Sequence, residues 1–238
     1  MGKKLDFKDL ILHEDDDYLV VNKPAGYASL DDRHEGYSLL EMARDYHPDV
    51  QLGHRLDKET SGALAIAKNP EAYRQLSMQF EDRVVTKVYH AIVDGIHAFK
   101  GEEVNLPIFA GAKGIVRIDP VEGKIAQTFI TTVEAYKKHS LVECVPITGR
   151  MHQIRIHLAS LKASIAGDEM YGGKPLLLSE LKRNFNLKRE TEEQPIIRRV
   201  ALHARALSFY NLAEQEVTVT ADYPKDFAVA LKQLAKFR

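Results

Sequence analysis

The positions of hydrophobic and polar residues along the chain predict short strands alternating with helices. Segment 18–23, YLVVNK, is typical of a strand, and the acidic run 14–17 before it is typical of a solvated turn. Residues 87–93 follow the two-residue period of a strand. Similar runs predict further strands at 63–67, 126–136, 140–147, 206–210 and 216–221.

Capping residues and helical periodicity predict the helices. Ser38 and Glu41 have the spacing of a capping box, so we predict a helix that begins there and ends before Pro48. Asn69 is typical of the N-cap of a second helix, which loses its register near Asp82. Apolar residues at spacings of three and four predict two more helices, over 151–161 and 227–237.

Strands outnumber long crossover helices, which predicts an α+β fold with a mixed, largely antiparallel β-sheet core and flanking helices and loops. The 238 residues, 45% of them hydrophobic, are enough for the core of one large domain or two small ones. The chain contains neither an internal repeat nor a long low-complexity linker. We therefore predict a single domain over residues 1–238.

Composition narrows the class of protein. Lys and Arg total 33 against 34 for Asp and Glu, so the chain lacks the bulk positive charge that by itself indicates a nucleic-acid-binding protein, and any such surface must be local. The N-terminus lacks the apolar region of a signal peptide, and no stretch approaches the roughly 18 apolar residues of a membrane span. The single cysteine, Cys144, excludes an internal disulfide and is predicted to lie in the core. We expect a soluble cytoplasmic protein with no membrane partner, and a monomer is the simplest expectation.

The segment HRLDKETSG at 54–62 has the densest set of reactive side chains, just before the predicted buried strand at 63–67. A loop on a stiff scaffold is a usual place for catalysis. Asp57 lies beside Arg55 and Lys58, whose charges favour an ionised carboxylate, as a nucleophile or a base requires. The alternative is a structural aspartate that accepts backbone hydrogen bonds in a turn.

The segment TGRMHQIRIH at 148–157 is a local basic patch without an acid. His152 and His157 are five residues apart, which does not match the spacing of a zinc helix, so we predict no metal site. Arg150 and Arg155 are predicted at the edge or mouth of a cleft. The alternative for Arg155 is a side chain that extends along apolar surface to solvent.

The segment KVYHAIVDG at 87–95 places Tyr89 on a predicted strand. A tyrosine there is usually part of the core or of the sheet surface. A ring that faces a cleft can instead stack on a base, and its hydroxyl can take part in proton transfer. The residue pattern leaves both roles open.

Taken in order, the motifs resemble those of the RluA family of pseudouridine synthases. The segment HRLDKETSG followed by ALAIAKN resembles the catalytic motif of that family. The resemblance extends from about residue 11 to residue 221 and includes NKPAG at 22–26, KVYHAIVDG at 87–95, TGRMHQIRIH at 148–157, GDEMYGG at 167–173 and ALHARALSF at 201–209.

The resemblance implies the pseudouridine synthase catalytic fold and the isomerisation of uridine to pseudouridine in RNA. It implies that Asp57 is the essential carboxylate and that Tyr89 stacks on the target base. Arg155 would pair with Asp57, and Arg55 would occupy the position of the extruded base. Two routes stay open for Asp57, attack on C1′ or removal of the C2′ proton. Further substrate contacts are predicted for Lys23, Thr60, Ile154, Arg150 and His152.

The resemblance also has implications for cofactors and for the residues that bind RNA. The isomerisation needs no cofactor, and the sequence contains no dinucleotide or phosphate-loop motif. The sequence before NKPAG is too short for an S4 RNA-binding module, so we expect this domain alone to hold ribosomal or transfer RNA. Candidate phosphate contacts are Lys23, Arg150, Lys174, Lys182, Arg183, Lys188, Arg189, Arg198 and Arg199. Segment 182–199, which contains six of these basic residues, also contains three glutamates, so a solvated insertion without a role in RNA binding fits it equally well.

Two other classes of protein use similar residues. The first is an RNA-binding or chaperone-like protein that uses the same cleft without isomerisation. The second is a glycoside or nucleoside hydrolase, which usually needs two carboxylates across the scissile bond. The resemblance gives a catalytic role to no second acid beside Asp57, which favours the isomerase.

Overall fold

The computed structural model describes residues 5–30, 37–187 and 191–238. The helices are α1 (Leu39–Tyr46), α2 (Pro70–Glu81), α3 (Gln153–Ser160), α4 (Leu178–Leu181) and α5 (Lys225–Lys236). The strands are β1 (Ile11–Glu14), β2 (Tyr18–Lys23), β3 (Ser61–Ala67), β4 (Thr86–Asp94), β5 (Lys100–Asn105), β6 (Ile108–Ala110), β7 (Val116–Ile118), β8 (Gln127–Ala135), β9 (His139–Pro146), β10 (Leu202–Tyr210) and β11 (Glu216–Thr220).

The chain divides into two compact units. The first unit consists of Met1–Val88 and His203–Asp222, and the second of Tyr89–Leu202 and Tyr223–Arg238. The single-domain organisation therefore stays a prediction. None of the helices in the described residues has the length and apolar content needed to cross a membrane.

The first unit is built around β3, which is buried along its whole length. It pairs with β2 in antiparallel register, from Tyr18 opposite Ala67 to Lys23 opposite Gly62. On its other side β3 pairs with β10 in parallel, and β10 in turn pairs with β11 in antiparallel register. A strand covered on both faces needs small and apolar residues throughout, which is why the run ALAIA lacks the alternation of a half-exposed strand.

In the second unit β4, β9, β8 and β5 lie side by side in antiparallel order, and β6 and β7 form a separate antiparallel pair. Helices α3 and α5 contribute Ile154, Leu158, Phe227 and Leu234 to its core. Cys144 is fully buried there as a free thiol, as predicted, and burial raises its pKa. The predicted α+β class with a mixed, largely antiparallel sheet is confirmed.

The predicted caps are present. The Ser38 side chain accepts a hydrogen bond from Glu41 N at 3.1 Å, and Ser38 N donates to the Glu41 carboxylate at 2.7 Å. The Asn69 side chain accepts from Ala72 N at 2.9 Å, which caps α2. These contacts satisfy amide groups that the first turn of a helix leaves without intrahelical partners. Local sequence therefore sets where α1 and α2 begin.

Candidate active site

Asp57 lies in the loop between α1 and β3, and the backbone on its N-terminal side is fixed by a serine. The hydroxyl of Ser29 donates to Leu56 O at 2.8 Å and accepts from Leu56 N at 3.1 Å. On the other side, Thr60 N donates to Asp57 O at 3.0 Å, which closes a tight turn. The Asp57 side chain is partly exposed, whereas those of Leu56 and Thr60 are buried. The loop therefore presents one carboxylate from a fixed backbone.

Lys23 supports the same loop from β2. Its side chain is 0% exposed, and its ammonium group donates to Pro24 O at 3.1 Å, Tyr27 O at 2.8 Å and Lys58 O at 3.1 Å. A buried ammonium requires such acceptors, because removing it from water without them is costly. In this conformation Lys23 stabilises the loop around Asp57 instead of facing solvent. A direct contact with substrate stays a prediction that would need the loop to open.

The C-terminal end of the loop is fixed by β10. His203 is fully buried, and its Nε2 lies 3.1 Å from Ala221 O, so this nitrogen carries the hydrogen. The Ser61 hydroxyl therefore donates to His203 Nδ1, at 3.0 Å. Gly62 follows with a φ of 118° and lies opposite Ala204 in β10. These contacts join the end of the loop that carries Asp57 to a neighbouring strand.

His54, at the start of the motif, packs inside the first unit. Its ring stacks on Phe80 with a centroid separation of 4.1 Å, and its Nε2 accepts a hydrogen bond from Ala65 N at 3.0 Å. Desolvation and then the charge of Lys87 lower the pKa of His54 to about 3. The ring is therefore neutral in the folded protein at physiological pH, and its role is to join the loop to β3.

This environment predicts a pH-dependent contribution to stability. The unfolded chain binds a proton at His54 below about pH 6.5, and the folded chain does so only near pH 3, so stability is lost as the pH falls below about 6.5. Between about pH 7.5 and about pH 5.5, the free energy of unfolding of the wild type should fall by about 1 kcal/mol more than that of His54→Gln. Urea denaturation of both proteins at the two pH values measures this difference. The same pH dependence in both would show that His54 is not desolvated.

Arg155 lies on α3 in the second unit and is buried. Its Nε donates to Asp168 Oδ2 at 2.7 Å and its Nη2 to Asp168 Oδ1 at 2.8 Å, which is a bidentate ion pair. The guanidinium carbon also lies 5.0 Å from the centre of the Tyr171 ring. Arg155 is therefore part of a buried network and does not extend along the surface to solvent.

The start of α3 is set by a turn rather than by a capping side chain. His152, the residue before the helix, has a φ of 54°, and its Nδ1 lies 2.9 Å from the Tyr171 hydroxyl. The Gln153 side chain accepts from the Thr148 hydroxyl at 2.6 Å and from Arg150 N at 3.0 Å. The helix therefore begins at Gln153, two residues after the predicted position.

Tyr89 and Ile154, the other predicted site residues of the second unit, lie close to the core of that unit. Tyr89 is half-buried on β4, opposite Cys144 in β9, and packs against the apolar cluster that contains Ile154. Asp57 belongs to the first unit, whereas Tyr89 and Arg155 belong to the second. The predicted pairing of Asp57 with Arg155 and the stacking role of Tyr89 stay predictions.

A family model described as RNA pseudouridylate synthase matches residues 17–160. The chain belongs to this family. It is 34% identical over 236 residues to ribosomal large subunit pseudouridine synthase C of Buchnera aphidicola subsp. Baizongia pistaciae, a match that spans 96% of this chain and 71% of the relative. The protein of the same name from Escherichia coli is 36% identical over 216 residues, which span 88% of this chain and 64% of that protein.

Among solved structures, human RNA Pseudouridylate Synthase Domain Containing 4 superposes with a TM-score of 0.75 at 27% identity. The superposition covers 96% of this chain and 95% of the human chain. The resemblance to the RluA family is confirmed, and with it the class of enzyme, an isomerase that acts on uridine in RNA.

The basic side chains predicted to hold RNA differ in exposure. Arg55 in the catalytic loop of this synthase is exposed, and Arg150 is half-buried with its Nε donating to Ile125 O at 3.1 Å. Arg199 is buried against Asp226, with Nε 2.7 Å from Oδ2, so in this structure it supports α5. Lys188 and Arg189 lie outside the described residues. The exposed members of the predicted set are Lys174, Lys182, Arg183 and Arg198.

Sequence reasoning missed three residues that hold segments with predicted site residues in place within their own unit. Ser29 and Gln153 act through hydrogen bonds to backbone groups of other segments, and an isolated serine or glutamine carries no signal for such contacts. Asp168 lies within GDEMYGG, which the resemblance singled out without a role for the aspartate. A buried acid 13 residues from Arg155 becomes recognisable as its partner only after the chain has folded.

Proposed function

We propose that this chain converts uridine to pseudouridine in the RNA of the large ribosomal subunit, with Asp57 as the essential carboxylate. The observation that carries the proposal is the loop around Asp57, where Ser29 and Lys23 fix the backbone on both sides of one partly exposed carboxylate. A nucleophile or base held on a rigid loop is what an isomerase without a cofactor requires. The relatives named ribosomal large subunit pseudouridine synthase C support the substrate.

The reaction breaks the bond between C1′ and N1 and forms a bond between C1′ and C5. The uracil stays in the site, turns over and loses its C5 proton while N1 gains one, so atoms balance without a cofactor. Asp57 either attacks C1′ or removes the C2′ proton, and both routes need its ionised form. Tyr89 stacks on the base, and the C5 proton leaves by way of its hydroxyl, which gives up its own proton as it takes up that of C5. Arg155 orients the carboxylate through its guanidinium group.

Access to the glycosidic bond requires that the uridine leave its stack. Arg55 is exposed beside Asp57 and has a planar guanidinium group that can replace the lost stacking. Thr60 and Ile154, both buried, are included in the proposal as substrate contacts, together with Arg150 and His152 at the start of α3. The proposal includes a monomeric, cytoplasmic enzyme as the simplest arrangement for a protein that acts on RNA.

The test is to map pseudouridine in cells that lack this gene, with ribosomal and transfer RNA examined together. One or a few sites in the large-subunit RNA should be lost and should return with the wild-type gene. Loss in transfer RNA alone would move the substrate to that class. Purified protein incubated with the same RNA should form pseudouridine without release of free uracil, since release would indicate a hydrolase. Binding without any product would instead support an RNA-binding protein.

A further inference from the structure

The first unit carries a cleft of about 420 Å³ beside α1, which we call the α1 cleft. The described residues that line it are those of segment 5–8, together with Tyr37, Met42, Asp45 and Tyr46. All of them belong to the same compact unit, and none of them lies in the motifs of the proposed active site. The α1 cleft is therefore built from residues to which the proposed reaction gives no role.

Aromatic side chains form much of the lining. Phe7 is buried, and the centre of its ring lies 5.6 Å from that of Tyr46, with the two planes at 40°. The Tyr46 hydroxyl donates to the Glu14 carboxylate at 2.9 Å, which restricts the movement of this ring. Tyr37 is 51% exposed, and its hydroxyl donates to the Asp45 carboxylate. The α1 cleft therefore presents oriented tyrosine rings next to a carboxylate.

The charged groups of the lining favour a cation over a phosphate. Asp6 and Asp45 contribute two carboxylates, and Lys8 contributes one ammonium group. An ionised carboxylate has about four acceptor sites, and the hydrogen bond from Tyr37 uses one of those of Asp45. Carboxylates at this density repel the phosphates of RNA and attract a positive group.

Lys8 shows which chemistry suits the rings. Its Nζ lies 5.9 Å from the centre of the Tyr46 ring, which is within the range of a cation–π contact. Lys8 belongs to the short 3₁₀ turn Phe7–Leu10, so this contact is made within the chain. A cation that enters the α1 cleft from another molecule competes with the Lys8 ammonium group for this ring.

We propose that the α1 cleft binds an arginine side chain from a basic segment of a partner protein. A planar guanidinium group can lie flat on a tyrosine ring while its edge donates two hydrogen bonds to one carboxylate, which an ammonium group cannot do. The lining supplies both partners, rings from Tyr37 and Tyr46 and a carboxylate from Asp45. The volume is in the range of sites that hold small ligands, so it has room for a single long side chain.

Methionine methyl groups provide local reporters for the test. The chain contains five methionines, of which Met42 lines the α1 cleft, whereas the Met170 sulfur lies 4.0 Å from Arg155 Nη2 in the other unit. The signals of isotope-labelled methionine methyl groups are followed by NMR, and Met42→Leu identifies the signal of Met42. The probe is the peptide Gly-Arg-Gly-Arg-Gly with blocked ends. The control peptide carries citrulline, an uncharged isostere of arginine, at both arginine positions.

We expect the arginine peptide to shift the Met42 signal and to reach saturation at millimolar concentration, while the Met170 signal stays unchanged. The citrulline peptide should bind about 5-fold more weakly or worse, because it lacks the charge that both the ring and the carboxylate require. This comparison uses the wild-type protein, so it does not depend on how any variant folds. It also needs neither RNA nor turnover, so its outcome is independent of the proposed function.

Three variants test the named groups, and thermal unfolding checks that each is folded. Asp45→Asn should weaken binding of the arginine peptide about 3-fold. Lys8→Ala should strengthen it about 2-fold, because a competing cation leaves the Tyr46 ring. Asp49→Asn is the matched control, since Asp49 is exposed four residues after Asp45 but does not line the cleft, and it should bind as the wild type does.

Four results would overturn the proposal. They are the absence of a Met42 shift at millimolar peptide, equal binding of the citrulline peptide, a shift of Met170 in place of Met42, and equal weakening by Asp45→Asn and Asp49→Asn. An oligouridine RNA is tested in the same way. If it shifts Met42 at lower concentration than the peptide and Lys8→Ala weakens that binding, the α1 cleft is a site for nucleic acid and the arginine assignment is wrong.

Discussion

Asp57→Asn should abolish pseudouridine formation while the Kd for RNA stays within a few fold of the wild-type value. Asparagine has the shape of aspartate but cannot attack C1′ or remove the C2′ proton, so both routes are closed. Loss of a catalytic nucleophile typically lowers kcat by about 10⁴-fold or more. The backbone contacts of Leu56 with Ser29, which hold the loop, do not involve the carboxylate and should persist. Digestion of the RNA and chromatography of its nucleosides measure the product.

The loop contains a matched control for this substitution. Glu59 lies two residues from Asp57 and is partly exposed, so Glu59→Gln removes a carboxylate from the same loop at similar exposure. We expect kcat of Glu59→Gln to stay close to that of the wild type, because no catalytic role is proposed for Glu59. Product formation by folded Asp57→Asn at a rate near that of the wild type would refute the essential role of Asp57. Loss of activity in both variants would indicate a general effect of charge in the loop.

Elements with local signals were predicted well. Helix α1 was predicted from Ser38 and Glu41, because a capping box consists of contacts between residues three positions apart. Strand β3 was predicted because a short continuous run of apolar residues is typical of a strand that is covered on both faces, and all of its residues are buried. Asp57 was singled out by the charged residues beside it in sequence and by the family resemblance, and its role stays a prediction.

Elements that depend on distant partners were missed or shortened. Strand β10 begins at Leu202, four residues before the prediction, because the polar His203 interrupts the apolar pattern. His203 is buried only because Ser61 and Ala221 supply its hydrogen-bond partners. Strand β5, KGEEVN, was not predicted because all but one of its residues are exposed, so its pairing with β8 leaves no apolar pattern. The ion pair of Asp168 with Arg155 was hidden for the same reason as the burial of His203.

Gly62→Ala should be strongly destabilising. A side-chain carbon at Gly62 would lie 2.2 Å from Ala204 O and 2.7 Å from Ala204 N, in the parallel pair of β3 and β10. These are backbone atoms, so no rotation of a side chain relieves the overlap, and the φ of 118° is itself unfavourable for alanine. We expect the free energy of unfolding to fall by more than about 3 kcal/mol. Urea denaturation at neutral pH measures it.

Gly101→Ala separates the cost of the steric overlap with Ala204 from the cost of the positive φ. Gly101 also has a positive φ, 68°, but nothing lies within 4 Å of a side-chain carbon built there, so only the backbone conformation is penalised. Its expected cost is about 1 kcal/mol. Equal costs at the two positions would show that β3 and β10 separate easily at Gly62. A much larger cost at Gly62 means that the close approach of these strands is fixed, and that β10 holds the end of the loop that carries Asp57.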